Sequence, residues 1–269
     1  MATGSNLINT SIEGQPADNE DRPFSFAIGT QIFINPADSP TDAVTSFKVD
    51  ASLLLAGETA GTSNLAIGFA TDAELNTLAG WGESNISTAS GNRFPVGFGR
   101  VSTAPNKVGV NIQGSQVATI GKPTDVGGVD ITSNELSMPT NPFETGDRVL
   151  VSSTGSLPAG LASGVAYFVI QVSPSSIRLA TTLAGALAQA EIDIQTVGSG
   201  TITVASDEIF TLTRSGSSGV VTVKKADQLI ATYTNENISS PLRLFYWNRE
   251  QSASSTEPVL KEIKVTGAI

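Results

Sequence analysis

From Phe24 onward, apolar residues alternate with small or polar ones. Phe24, Phe26, Ile28, Ile32 and Ile34 share one phase, the period-two pattern of a strand with one buried face. The pattern recurs in Phe47, Val49, Ala51, Leu53 and Leu55, and again in Leu65, Ile67 and Phe69. Turn formers such as Asn35, Pro36, Asp38, Ser39 and Pro40 separate these runs. One short helix is predicted where Thr71 can cap, Glu74 follows as in a capping box, Leu75, Leu78 and Ala79 share a face, and Gly80 stops the turn. Strands resume over residues 93–101 and 107–113, the second with Val108, Val110 and Ile112 on one side.

Residues 121–134 are polar and rich in turn formers, and a different style of sequence follows. Strands are predicted over 148–152, 166–172, 176–180 and 200–204, with a small helix over 182–190 carrying Leu183 and Leu187 at i, i+4. After Ser206 the earlier pattern returns. Phe210 and Leu212 lead to Val221 and Val223, the polar Lys224-Lys225-Ala226-Asp227-Gln228 stretch reads as a turn face, and 229–234 run back as a hairpin. Leu242, Leu244 and Tyr246 then alternate with Arg243, Phe245 and Trp247, and Ile263 and Val265 close the chain. Alone, the last 60 or so residues would make a thin sheet with a bare face. The expected architecture is therefore all-β: a discontinuous sandwich of residues 23–120 and 206–269, an N-terminal arm of 1–22, and a small barrel-like β module of 121–205 inserted at a loop whose ends lie close together. Three consecutive small β units are the competing arrangement.

Two stretches resemble known families. Phe210, Leu212, Arg214, Val221, Val223, residues 229–232, Pro241, Leu242 and Leu244 follow the "F-x-L-x-R", "V-x-V … L-I-A-T", "P-L-x-L" order of concanavalin-like (laminin-G-like) jelly rolls. That resemblance implies a jelly-roll sandwich, a fold shared by lectins, glycosidases and adhesion proteins, and fold alone does not choose among them. The inserted stretch resembles a module of bacteriophage tail, fibre and virion-surface proteins. The matching residues are Thr145-Gly146-Asp147, Gly155, Leu157-Pro158, Gly160-Leu161, Tyr167, Ile177, Leu179-Ala180, Ala184, Ala188 and Ile192-Asp193-Ile194. The resemblance implies an accessory domain of a virion component and no particular activity.

Composition narrows the chemistry. The 269 residues include neither histidine nor cysteine, which removes cysteine nucleophiles, Ser-His-Asp triads, Cys/His zinc sites and disulfides. Net charge −10 opposes binding to a phosphate backbone. The first residues show no basic segment followed by an apolar one, and no stretch reaches 18 apolar residues, so a soluble chain without a secretion signal or membrane insertion is expected.

Glu191 and Asp193 carry the one pattern that invites a catalytic reading. Laminarin-type glycoside hydrolases on jelly rolls have a strand close to E-x-D-x-x-E, and period-two spacing would set Glu191 and Asp193 on one face. Positions 195 and 196 are Gln195 and Thr196, so the acid/base glutamate is missing, and a solvated strand end is expected. Asp18, Glu20 and Asp21, or Asp38 and Asp42, offer oxygens to Ca²⁺ without EF-hand spacing; solvated loops are expected, with no cofactor. Gly216-Ser217-Ser218-Gly219 lacks the lysine and helix of a phosphate loop. Trp81, Tyr246, Trp247 and Asn248 form a possible glycan contact, although alternation separates Trp247 from Tyr246. The expected function is non-enzymatic: a structural or attachment component of a phage tail or fibre, with head decoration and a lectin-like module as alternatives. Its expected partners are other virion proteins, further copies of itself in a trimer, and a host glycan.

Overall fold

The computed structural model describes residues 24–31, 43–49, 63–71, 94–101, 104, 106–112, 115–214, 220–234, 242–249 and 260–267. The N-terminal arm, the capped helix after Thr71, the loop acids Asp38 and Asp42, the Gly216–Gly219 run and Trp81 lie outside them. Contacts divide the chain into two units, one from 1–119 with 210–269 and one from 120–209.

The first unit holds two antiparallel sheets. One orders, side by side, β1 (Phe24–Gln31), β17 (Leu242–Arg249), β3 (Ser63–Thr71), β4 (Phe94–Arg100), β5 (Lys107–Ile112) and β6 (Ser115–Gly121). The other orders β16 (Gln228–Thr234), β15 (Val220–Lys225), β14 (Phe210–Arg214), β2 (Ala43–Val49) and β18 (Leu260–Gly267). Early strands pair with late ones: β17 lies between β1 and β3, and β2 between β14 and β18. The chain switches sheets at each of β1, β2 and β3 and again at β16, β17 and β18, which gives a jelly-roll sandwich rather than a meander. Alternation buries Val96 and Phe98 of β4, Val108, Val110 and Ile112 of β5, Phe210 and Leu212 of β14, and Val221 and Val223 of β15. Phe98 and Phe210 meet edge to face, ring centroids 5.2 Å apart, and so join one sheet to the other through the core.

The expected polar turn face at Lys224-Lys225 is corrected at one residue. Lys225 is 8% exposed, and its Nζ donates to the Thr119 carbonyl at 2.8 Å, so the ammonium is satisfied while its stem is covered. The turn itself has only two residues, since Lys225 pairs with Gln228. Both carry positive φ, 45° at Ala226 and 69° at Asp227, the demand of a type I′ hairpin turn that glycine or asparagine meets best. Ala226→Gly relieves left-handed strain of about 1–2 kcal/mol against an unfolded-state entropy cost of about 0.4–1 kcal/mol. Glycine also loses a methyl that is buried, Ala226 being 8% exposed, worth about 0.8 kcal/mol, so the contributions nearly cancel and a urea midpoint close to the wild type's at unchanged m-value is expected.

The second unit is one antiparallel sheet in the order β7 (Thr124–Asp125), β13 (Ile202–Ser206), β10 (Arg148–Ser153), β11 (Ala166–Ser173), β12 (Ser176–Ala180), β9 (Glu135–Ser137) and β8 (Gly128–Asp130). Ladders do not close it into a barrel. Its two end strands are nevertheless separated by only Val126 and Gly127, and these residues donate to the Ile202 carbonyl of β13 and the Ser137 carbonyl of β9, both at 2.8 Å. The sheet must therefore curl until its ends nearly meet. Inside the curl lies a core of Leu136, Met138, Phe143, Val149, Val151, Tyr167, Val169, Ile177, Leu179, Ile194, Ile202 and Val204. β7 and β8 fall in the stretch where the sequence pattern predicts only turns; at two and three residues they are too short to show alternation.

The helix is shorter than the pattern predicts. α1 (Leu183–Leu187) is capped by Thr182, whose side chain accepts the Gly185 N–H. It ends in a Schellman arrangement, with Gln189 at φ 59° and the amides of Gln189 and Ala190 donating to Ala186 and Gly185. Its buried residue is Ala186, whereas Leu187 is 60% exposed; five residues are too few for the predicted i, i+4 leucine face.

Candidate functional site

The Glu191–Ile194 stretch belongs to no ladder, which corrects the expected strand. Single bonds hold it instead: Ile192 N–H to the Leu179 carbonyl at 2.8 Å and Gln195 N–H to the Ala159 carbonyl at 3.0 Å, and Ile194 N–H to Asn134 Oδ1 at 2.8 Å. Alternation survives without the ladder. Ile194 is buried and Ile192 packs against the core, while Glu191 and Asp193 face solvent.

Each of the two carboxylates has a nearby partner. Arg178 of β12 lies 3.1 Å from Glu135 Oε1 and 3.8 Å from Glu191 Oε1, and Asp193 accepts from Gln195 Nε2 at 3.3 Å. Half-exposed ion pairs of this kind contribute about 0–1 kcal/mol. Their effect here is positional: one guanidinium ties β9, β12 and the 191–194 stretch together. A glycosidase needs a second carboxyl about 5–10 Å across a groove from the first. Here the carboxyl beside Glu191 is Glu135, and a guanidinium lies between the two.

The residues behind the phage-module resemblance have structural duties in this unit. Gly146 has φ 96° and its N–H donates to the Val169 carbonyl at 2.9 Å. Asp147 is 3% exposed, and its Oδ2 accepts the Glu144 N–H at 2.9 Å. Thr145 Oγ1 accepts the Gln171 N–H at 3.0 Å. Tyr167 reaches from β11 to accept the Ala162 N–H at 2.7 Å, while Leu157 and Leu161 pack on the core. Loop 154–160 is stitched to 195–201 by Ser156 and Ser199, whose hydroxyls are 2.9 Å apart, and by Thr196 Oγ1, which accepts the Ala159 N–H at 2.9 Å. Where the chain enters and leaves the unit, Arg148 pairs with Asp207, its N–H donates to buried Glu208 at 2.7 Å, and Ser206 Oγ donates to the Gly121 carbonyl at 2.7 Å. The Arg148, Asp207 and Glu208 cluster has no short-range sequence signature, since Arg148 lies 59 and 60 residues before its two adjacent partners.

Among the described residues no group of three or more His, Cys, Asp or Glu side chains could hold a metal. Asp130 at the end of β8 accepts the N–H groups of Thr132 at 2.8 Å and Ser133 at 3.3 Å. These bonds hold its carboxyl below the usual value and serve the turn. For the possible glycan set, the register of β17 gives the backbone positions. Tyr246 pairs with Ile67, Trp247 with Ala66 and Asn248 with Leu65. Tyr246 and Asn248 therefore stand in one row of register positions and Trp247 in the other.

No family model and no curated protein matches the chain. Among solved structures it is similar to the metal-free form of lectin I-B4 from Griffonia simplicifolia, at 13% identity over 100% of this chain and 90% of that one, TM-score 0.38. It is also similar to a mutant of the Emp46p carbohydrate recognition domain, at 10% identity over 93% and 79%, TM-score 0.32. A third likeness is to an endo-1,3-beta-glucanase from Streptomyces sioyaensis, at 9% identity over 99% and 87%, TM-score 0.34. The jelly-roll assignment rests on the ladders of β1–β6 and β14–β18, not on these low scores.

Proposed function

We propose that the protein is a non-enzymatic structural and interaction component of a phage particle, acting on the tail or a tail fibre in assembly or host attachment. The observation that carries this reading is where the resemblance falls in space. Thr145, Gly146, Asp147, Gly160 and Tyr167 set loop geometry in the second unit, and Ile177, Leu179 and Ile194 fill its core, so what recurs is a scaffold. The engaged Glu135, Glu191 and Asp193 support surface work over sugar cleavage. Head decoration is the alternative position, and a glycan reached through Trp81 or Trp247 is the alternative partner.

The test is reconstitution. Particles made without the protein are mixed with purified full-length chain, separated on a density gradient and imaged with a gold-labelled tag. Saturable co-migration with gold at the tail is expected. Gold on the head moves the assignment to decoration, and protein that stays at the top of the gradient overturns the reading. A glycan array with Trp81→Ala and Trp247→Ala controls addresses attachment: binding lost in either variant makes the sandwich the glycan reader.

A further inference from the structure

A protease cuts a folded chain where a stretch of backbone can enter the enzyme's cleft, so loops are nicked before paired strands. Enzymes of the trypsin class add a chemical condition. The residue before the cut must be lysine or arginine, whose cation enters a pocket with a carboxylate at its floor. In the second unit these two conditions are never met together. Its stretches outside the strands are 122–123, 126–127, 131–134, 138–147, 154–165, 174–175, 181–201 and 207–209, and they contain one basic residue, Lys122. Pro123 follows it, and a proline in that place obstructs cleavage, because its ring fixes φ and its nitrogen carries no hydrogen.

The unit's other two cations, Arg148 and Arg178, are the reverse case: suitable residues on backbone that a protease cannot take. Val149, next after Arg148, pairs with Tyr167 of β11 and Ser206 of β13, and Leu179, next after Arg178, pairs with Val169. Both Val149 and Leu179 are buried. Each guanidinium is also held by carboxylates, Arg148 by Asp207 and Arg178 by Glu135 at 3.1 Å and Glu191 at 3.8 Å. Cleavage at either site therefore needs the sheet to open, and its rate follows the population of the opened unit. The loops differ. Ala162, Ser163, Gly164 and Val165 are exposed, and nothing lies within 4 Å of the missing Gly164 Cβ, so what guards this loop is the absence of a cation. We infer that the second unit resists trypsin-like proteases by keeping lysine and arginine out of every stretch such an enzyme can enter, with Pro123 closing the one exception. A component that works in a medium holding such enzymes keeps this unit whole for as long as the unit stays folded.

The experiment is limited trypsin digestion of the full-length protein, read by mass spectrometry of the fragments, for wild type, Ser163→Lys and Pro123→Ala. Circular dichroism checks that each variant is folded. In the native wild type no cut is expected after Lys122, Arg148 or Arg178. In urea beyond the unit's transition, cuts after Arg148 and Arg178 are expected, and none after Lys122. Ser163→Lys puts a cation at an exposed loop position, and Pro123→Ala frees the bond after Lys122. Each is expected to bring native cleavage at its own site about tenfold or more faster than any cut within the wild-type unit. Wild-type cleavage after Arg148 or Arg178 while the unit is folded would overturn the inference. So would either variant that stays as resistant as wild type, since protection would then come from rigid backbone and not from where the cations sit. Particle binding enters none of these readouts, so the inference can fail while the particle reading stands.

Discussion

Phe143→Ala is expected to melt the second unit well before the first. The ring is fully buried in the core inside the curl, and removing a buried phenylalanine side chain costs about 3–5 kcal/mol, a large part of the about 5–15 kcal/mol that holds a small domain folded. Relaxation into the hole is limited, because the ring packs on bare backbone: a Cβ at Gly121 would lie 2.5 Å from Phe143 Cδ1. Two probes separate the units. Both tryptophans, Trp81 and Trp247, belong to the segments of the first unit, so tryptophan fluorescence reports the sandwich, while far-ultraviolet circular dichroism reports both. In Phe143→Ala the dichroism is expected to show an early phase in urea that fluorescence does not follow. Gly121→Ala alone is expected to destabilise by pushing on the ring. In the Phe143→Ala background the same methyl enters vacated space, so the two changes should be strongly non-additive. One shared transition, or additive effects, would refute this account of the packing.

Strands β14 and β15 were readable in the sequence because one face of each is buried and the other half-exposed. Leu212, Val221 and Val223 are buried at alternate positions with half-buried residues between them, and that alternation is visible without coordinates. β6 was not: its first three residues are exposed and its last three buried, so no period-two signal develops. β7 and β8 escape for lack of length. Lys225 looks like any turn lysine; what makes it a buried group is the Thr119 carbonyl 106 residues earlier, a contact that local sequence cannot encode.

The candidate site divides in the same way. Period-two spacing sets Glu191 and Asp193 on one face, and both do face solvent, with Ile192 half-buried and Ile194 buried between and after them. The partner of Glu191 is Arg178, brought in by the β11–β12 hairpin and the turn through α1, and the sequence offers no marker for that encounter. Gly146 and Gly160, noticed for their match to a module, prove to need positive φ, which is a physical reason for glycine that a pattern match does not supply.

Gly160→Ala carries the other large effect. Gly160 has φ 106°, where a side chain is strained by about 1–3 kcal/mol. A Cβ there would also lie 2.4 Å from the Asp193 carbonyl oxygen. That oxygen cannot easily retreat, since the peptides on its C-terminal side are pinned by Ile194 N–H on Asn134 and Gln195 N–H on Ala159. Gly164 is the control: its φ is 75°, but nothing lies within 4 Å of its missing Cβ, so Gly164→Ala suffers the backbone strain alone. Gly160→Ala is expected to destabilise the second unit by at least about 2 kcal/mol more than Gly164→Ala, on top of strain common to both, with the tryptophan-reported transition unmoved in either. Equal losses would mean that the close approach to Asp193 is not what the loop needs from glycine. In the particle reconstitution the same pair separates the roles of the units. If Gly160→Ala abolishes co-migration at a temperature where only the second unit has melted, and Gly164→Ala does not, the second unit carries the attachment; if both variants co-migrate, the sandwich does.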